Sequence, residues 1–158
     1  MLILPRGITD FGEPEANENV SDLEFKQFCY DLLVVFDYTK FEEIETYSGN
    51  YHLGKLSNKK IQTLVLMNKH YPIIGLADEY RDGNANFIDS HDVALYINAK
   101  LRTGNQKSKY NYYQCLNLSV LNKDITDKTI MLLDHSELEQ LKYWNPIKYK
   151  DVIFNCWD

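Results

Sequence analysis

Apolar residues between positions 21 and 36 recur every three or four residues, at Phe25, Phe28, Cys29, Leu32 and Phe36. Side chains with this spacing share one face of a helix, about 100° wide. Ser21 followed three residues later by Glu24 is a capping-box pattern, so we predict a helix that starts after Ser21. Residues 33–35 are also apolar, which predicts either a helix buried all round or the start of a strand, and we favour the helix.

From residue 41 onward the pattern changes to short β-branched and aromatic runs separated by turn residues. Four runs predict an antiparallel meander at residues 41–47, 51–56, 61–67 and 71–77. An Asp82-Gly83-Asn84 turn precedes further short strands, predicted at residues 86–88, 110–118 and 130–133. A polar loop is predicted at residues 104–109, and helices at residues 92–101, 136–144 and 151–157. The second of these helices would open with a Ser136–Glu139 capping box.

These elements predict one α+β domain that spans residues 1–158, in which residues 1–20 form an extended acidic leader. We expect an antiparallel sheet of four to six strands, with the N-terminal helix packed on one face and the other face partly open. Short helices follow at the C-terminal end. The apolar C-terminal residues should dock against the body of the protein.

The turn at Gly49 and Asn50 determines which residues of the first hairpin face each other. A two-residue turn there predicts that Tyr47 lies opposite His52 and that Glu45 lies opposite Gly54. Because side chains alternate along a strand, one face of this hairpin would carry Glu43, Glu45, Tyr47 and His52. Such a patch combines an aromatic residue with charges, which is a composition that protein-binding surfaces use.

Acidic residues are concentrated in the first third of the chain. Residues 1–50 hold eleven acids and three bases, a net charge of −8, whereas the other 108 residues hold 12 acids and 14 bases. A field of this kind repels phosphate backbones and attracts cationic partners, so nucleic acid is an unsuitable ligand. No apolar run has the length of a membrane span or a signal peptide, so we expect no membrane partner and a cytoplasmic location.

Candidate chemical motifs are each incomplete. Residues 78–89 place Gly83 as in a calcium loop, but Tyr80 stands where a ligand is needed. His135 and Glu137 have the spacing of a zinc-deaminase half-site, yet the cysteine pair is absent, and Glu137 fits a first-turn helix acid better. Cysteines and histidines show no metal-ligand or nucleophile–base spacing. We therefore expect no catalytic residues, no metal and no cofactor.

Three segments resemble small bacterial immunity proteins of polymorphic and contact-dependent toxin systems. These segments are residues 7–20 (GITDFGEPEANENV), residues 45–54 (ETYSGNYHLG) and residues 143–158 (YWNPIKYKDVIFNCWD). The resemblance implies an inhibitor in the cytoplasm that binds one secreted toxin domain. It supplies no binding residues.

The acidic first third agrees with this implied function, because many such toxins are nucleases with basic substrate grooves, which an acidic surface complements. We therefore predict a protein that neutralises a cognate toxin C-terminal domain with a basic face, rather than an enzyme. The predicted partner-binding residues are the hairpin patch, followed by the leader acids Glu13, Glu15 and Glu18. Two alternatives stay open: a small hydrolase with a dispersed site that uses His52 with the nearby glutamates, and a general protein-interaction adaptor.

Overall fold

The computed structural model describes residues 2–15, 18–102 and 109–157, and the predicted α+β class is confirmed. Its helices are α1 (Asp22–Val35), α2 (His91–Asn98), α3 (Leu118–Leu121), α4 (His135–Trp144) and α5 (Tyr149–Ile153). Its strands are β1 (Lys40–Ile44), β2 (Tyr51–Ser57), β3 (Gln62–Asn68), β4 (Ile73–Arg81), β5 (Asn84–Phe87) and β6 (Gln114–Cys115).

Within the described residues the sheet has six strands, five of which follow the chain in the order β1-β2-β3-β4-β5 with antiparallel neighbours. The predicted meander is thus confirmed. Strand β6 adds to β4 in parallel, through two residue pairs that begin with Ile73 opposite Gln114. Between β4 and β5, Asp82 and Gly83 both have positive φ angles, 51° and 82°, which is the backbone of a tight two-residue hairpin turn.

Helix α1 begins as the sequence predicts. The Ser21 side chain accepts a hydrogen bond from the backbone N–H of Glu24 at 3.1 Å. The predicted apolar arc is buried against the sheet, whereas Val34 is 77% exposed, so the end of the helix is not buried all round.

Both faces of the sheet are covered, so the prediction of a partly open second face is wrong. On one face, α1 and α2 pack against inward residues of the central strands such as Val65 and Ile74. On the other face, the N-terminal segment and α5 pack against residues such as Leu64 and Leu66. The residues that close this second face are Leu4, Ile8, Tyr149, Val152, Ile153 and Phe154, which confirms that the C-terminal segment docks.

The β1–β2 connection differs from the predicted two-residue turn. Strand β1 ends at Ile44, Glu43 lies opposite Gly54, and residues 45–50 form a longer loop. Gly49 does not need a positive φ; its N–H donates to the carbonyl of Thr46 at 3.1 Å, and a Cβ there would meet the Thr46 hydroxyl at 2.8 Å. Asn50 is drawn into the protein interior, which lengthens the loop.

Three predicted features of the second half are wrong. Residues 130–133 form turns rather than a strand, and of residues 110–118 only Gln114–Cys115 pair with the sheet. The capping box of α4 joins Asp134 and Glu137 instead of Ser136 and Glu139. Residues 104–108 of the predicted polar loop, like residues 16 and 17 of the leader, lie outside the described residues.

Candidate functional site

The loop between β1 and β2 presents Tyr47, whose side chain is 95% exposed. Glu45 lies two residues before it and is also exposed. The loop is held from inside, because the Thr46 hydroxyl donates to the Tyr51 carbonyl at 3.0 Å and Asn50 is buried. The loop that carries the exposed tyrosine is therefore held in one conformation.

Buried asparagines anchor this loop to the rest of the protein. The Asn50 side-chain amide donates to the Ile8 carbonyl at 2.8 Å, and its side-chain oxygen accepts the Asn155 N–H at 2.8 Å. Asn68 donates to the same Ile8 carbonyl at 3.0 Å and to the Ile153 carbonyl at 2.9 Å. Because buried amides that lose a partner are costly, this network ties the loop to both the N-terminal and the C-terminal segments.

The four residues of the predicted hairpin patch separate into two groups. Glu45 and Tyr47 lie in the loop, beyond the end of β1, whereas Glu43 and His52 lie on the sheet face that α1 covers. The two-residue difference in register leaves side-chain parity unchanged, so Glu43 and His52 still share a face. Because Glu45 and Tyr47 lie beyond the end of β1, the four residues do not line one strand face as predicted.

Glu43 and His52 instead meet Asp22 of α1. One potential ligand atom from each of these three side chains lies within 4.8 Å of the other two, and we call this group the carboxylate–imidazole cluster. Lys26 lies beside it, with its Nζ 3.0 Å from Asp22 and 3.4 Å from Glu43. A hydrogen bond with Asp22, followed by burial, raises the pKa of Glu43.

His52 is the half-buried member of the cluster. Its Nε2 lies 2.8 Å from the Val20 carbonyl, and its ring stacks on Phe25 at a centroid distance of 5.1 Å and an interplanar angle of 16°. Burial lowers the pKa of His52, although the Val20 carbonyl acts in the opposite direction. The ring is thus held in one orientation and favours its neutral form.

The leader acids have three different environments. Glu13 is exposed, and its backbone carbonyl accepts a hydrogen bond from Arg6. Glu15 accepts from Lys109 at 2.9 Å and from Tyr110 at 3.0 Å, and the Lys109 hydrogen bond lowers its pKa. Glu18 is 2% exposed, so its carboxylate lies inside the protein and not on the surface for which the sequence proposed it.

Glu18 belongs to what we call the Arg102 cluster, which also contains Glu24, Arg102 and Tyr113. The Arg102 guanidinium contacts Glu18 and binds both oxygens of Glu24, at 2.8 and 3.0 Å. The Tyr113 hydroxyl donates to Glu24 at 2.8 Å. Burial acts to lower the pKa of Arg102, but the hydrogen bonds to Glu24 and Glu18 outweigh it and raise the pKa.

Ion pairs therefore offset much of the acid excess of the first third. Besides the two clusters, Asp31 pairs with Lys100 at 2.7 Å, and Glu42 pairs with Lys55 at 3.0 Å. Within the described part of the chain, Glu45 has no such ion pair. Fewer acidic side chains than the sequence indicates therefore carry negative charge that no ion pair offsets.

One exposed feature was not predicted from the sequence. Four aromatic rings form a row with successive centroid distances of 6.3, 6.3 and 5.2 Å, in the order Phe11, Trp157, Trp144 and Tyr143. Tyr143 is 78% exposed and Trp144 is 38% exposed. The density of aromatic residues near the C-terminus was the only signal, and it predicted docking rather than exposure.

A groove of about 480 Å³ lies between α2 and the β6–α3 segment, with His91 and Cys115 in its lining. Burial raises the pKa of the Cys115 thiol to about 12. Because the thiolate is the nucleophile, Cys115 is unreactive near neutral pH.

No protein-family model, curated protein sequence or solved structure matches this chain. Among the helices of the described residues, none combines the length and apolarity that crossing a bilayer requires.

Proposed function

We propose that this chain is an immunity protein that binds a cognate secreted bacterial toxin domain in the cytoplasm and blocks it. The observation that carries the proposal is the fixed loop that presents Tyr47 at 95% exposure beside Glu45. The resemblance of residues 45–54 to immunity proteins covers this same loop.

Tyrosine is suited to anchoring a protein–protein interface. It contributes a large contact area and one hydroxyl at a low cost in conformational entropy. A loop that is already held by Asn50 and Thr46 loses little further freedom when a partner binds. Most of the contact energy at Tyr47 would therefore remain as affinity.

Charge supports a basic partner. The chain carries a formal net charge of −6, and Glu45 lies next to the proposed anchor. Acids at the rim of an interface increase the association rate with a cationic protein more than they slow its dissociation. A nuclease toxin with a basic substrate groove has the complementary charge.

Glu45 tests this proposal more cleanly than Glu43. A lysine at position 43 would face the ammonium of Lys26, which lies 3.4 Å from the present carboxylate. The resulting repulsion would disturb α1 as well as any partner surface. Glu45 has no such neighbour among the residues described, so its charge can be reversed with little effect on folding.

The first experiment is co-expression with the C-terminal domain of the large secreted protein that this proposal expects to be encoded next to the gene. We expect growth rescue and co-purification of the two proteins in a defined ratio. If the chain neither rescues growth nor co-purifies with that domain, the immunity proposal is wrong.

The second experiment measures binding kinetics of variants at several salt concentrations. Tyr47→Ala should raise the dissociation rate about thirtyfold, which corresponds to about 2 kcal/mol of lost contact. Glu45→Lys should slow association and flatten its salt dependence.

Glu79→Lys is the matched control, because Glu79 is an exposed acid on β4 and lies outside this loop. It should affect association less than Glu45→Lys does. Wild-type kinetics for both Tyr47→Ala and Glu45→Lys would show that the toxin binds elsewhere, with Tyr143→Ala in the aromatic row as the next variant to measure.

A further inference from the structure

The carboxylate–imidazole cluster joins side chains that are distant in sequence. Asp22 lies in the first turn of α1, Glu43 near the end of β1 and His52 on β2. Separations of 21 and 9 residues match no metal-binding motif, so the sequence predicts no metal site. Packing of α1 on the sheet creates the cluster.

We propose that Asp22, Glu43 and His52 bind one divalent transition-metal ion, with Zn²⁺ as the preferred ion. Two carboxylates and one imidazole are a donor set that zinc accepts, and three protein ligands leave a fourth position open to water. Calcium and magnesium prefer oxygen ligands alone, so the imidazole argues against both.

The contacts of His52 outside the cluster support this assignment. Metal-binding histidines generally donate their other ring N–H to a carbonyl or a carboxylate, which fixes the tautomer and the ring orientation. The Val20 carbonyl, 2.8 Å from Nε2, accepts the N–H of that nitrogen, so Nδ1 would be the ligand atom in the proposed site. Stacking on Phe25 holds the ring plane.

The distances require only a small adjustment. The three ligand atoms lie within 4.8 Å of one another, whereas a tetrahedral zinc ion with bonds of about 2.0–2.2 Å needs separations of roughly 3.3–3.6 Å. The Asp22 and Glu43 side chains are 55% and 33% exposed, so rotation about their side-chain bonds can close a gap of this size.

Without a metal ion, the Lys26 side chain blocks this site. Its ammonium contacts both carboxylates and therefore occupies the electrostatic position of the cation. Its side chain is 43% exposed and can swing into solvent, so an arriving ion can displace it. A single ammonium neutralises only one of the two carboxylate charges, whereas a divalent ion neutralises both.

The test is a titration of metal-free full-length protein with Zn²⁺ by isothermal calorimetry. It needs no toxin, so its outcome is independent of the proposed immunity function. We expect one ion per chain, and Co²⁺ should give a visible absorption band typical of a tetrahedral site. The absence of Zn²⁺ binding would overturn the proposal.

Variants assign the site. Glu43→Gln and His52→Gln should each weaken Zn²⁺ binding at least about tenfold, and the first is nearly isosteric, so the fold should be retained. Glu42→Gln is the matched control, since Glu42 is the adjacent acid on β1 and lies outside the cluster. Equal losses in Glu42→Gln and Glu43→Gln, or unchanged binding in both ligand variants, would show unspecific binding or another site and overturn the proposal.

Lys26→Met gives a prediction in the opposite direction. Removal of the competing ammonium should tighten Zn²⁺ binding by about threefold to tenfold. A purely structural role of the cluster does not predict a gain in affinity for a metal ion. Weaker binding in Lys26→Met would contradict the proposed displacement.

Discussion

Two acids in the first turn of α1 have opposite environments. Glu24 binds Arg102 and Tyr113, and the side chains of Arg102 and its other partner Glu18 are only 2% and 1% exposed. Asp22, two residues earlier, pairs with Lys26 where both side chains are about half exposed.

This difference shows that burial, rather than charge, decides what an acid does in this protein. A buried carboxylate cannot regain water if its partner is removed, so the fold needs the Arg102 cluster for its stability. An exposed carboxylate exchanges one cation for another at little cost, so the carboxylate–imidazole cluster is available for ligands.

The largest expected effect is a loss of stability at the buried Arg102 cluster. Arg102→Met would leave Glu18 and Glu24 without their counter-ion, and breaking such a buried pair costs about 3–5 kcal/mol of unfolding free energy. Urea denaturation followed by circular dichroism measures this loss. A loss below about 1 kcal/mol would remove the contrast between the two clusters.

A smaller effect is expected at Tyr113. Tyr113→Phe removes only the hydroxyl that donates to Glu24 at 2.8 Å, and hydrogen bonds to charged groups contribute about 1.5–3 kcal/mol. The same denaturation experiment should place this variant between wild type and Arg102→Met. Tyr112→Phe is a suitable control, because Tyr112 is the adjacent tyrosine and is 53% exposed.

At the exposed carboxylate–imidazole cluster, Lys26→Met should leave the unfolding free energy nearly unchanged, since exposed ion pairs contribute little. Measured without metal, this variant should unfold at nearly the wild-type urea concentration. A loss of unfolding free energy comparable to that of Arg102→Met would show that the carboxylate–imidazole cluster also stabilises the fold.

The smallest effect is expected at Glu15, whose pKa is lowered by the hydrogen bond from Lys109. A carboxyl group with a lowered folded-state pKa stabilises the fold above its ordinary pKa, and this contribution is lost as the pH falls through the lowered value. Because the side chain is 37% exposed, we expect about 0.3 kcal/mol. The difference between wild type and Glu15→Gln should be present at neutral pH and vanish in acid.

Local features of the fold could be predicted from the sequence. The Ser21 cap, the apolar arc of α1 and the Asp82-Gly83 turn each depend on residues within a few positions of one another. The turn at Gly49 could not be predicted in this way. Its length depends on Asn50, which binds Asn155 from the far end of the chain.

The candidate sites show the same difference between local and long-range contacts. Glu45 and Tyr47 were predicted together on one face of the first hairpin, and both are exposed, although they lie in a loop and not on the strand. The partner of Glu18 could not be found, because Arg102 lies 84 residues away and no local pattern links them. Asp22 joins Glu43 and His52 only after α1 has packed on the sheet.

The closure of the second sheet face also has a consequence for the order of folding. The Tyr149 hydroxyl donates to the Leu2 carbonyl, and the Asn155 amide donates to the Thr9 carbonyl, contacts that span 147 and 146 residues. Loops of this length close slowly, and a chain with such distant contacts folds more slowly than one built from local contacts. During synthesis, the part of this face that α5 and Phe154 cover therefore stays exposed until those residues have left the ribosome, and its apolar strand residues are open to aggregation until then.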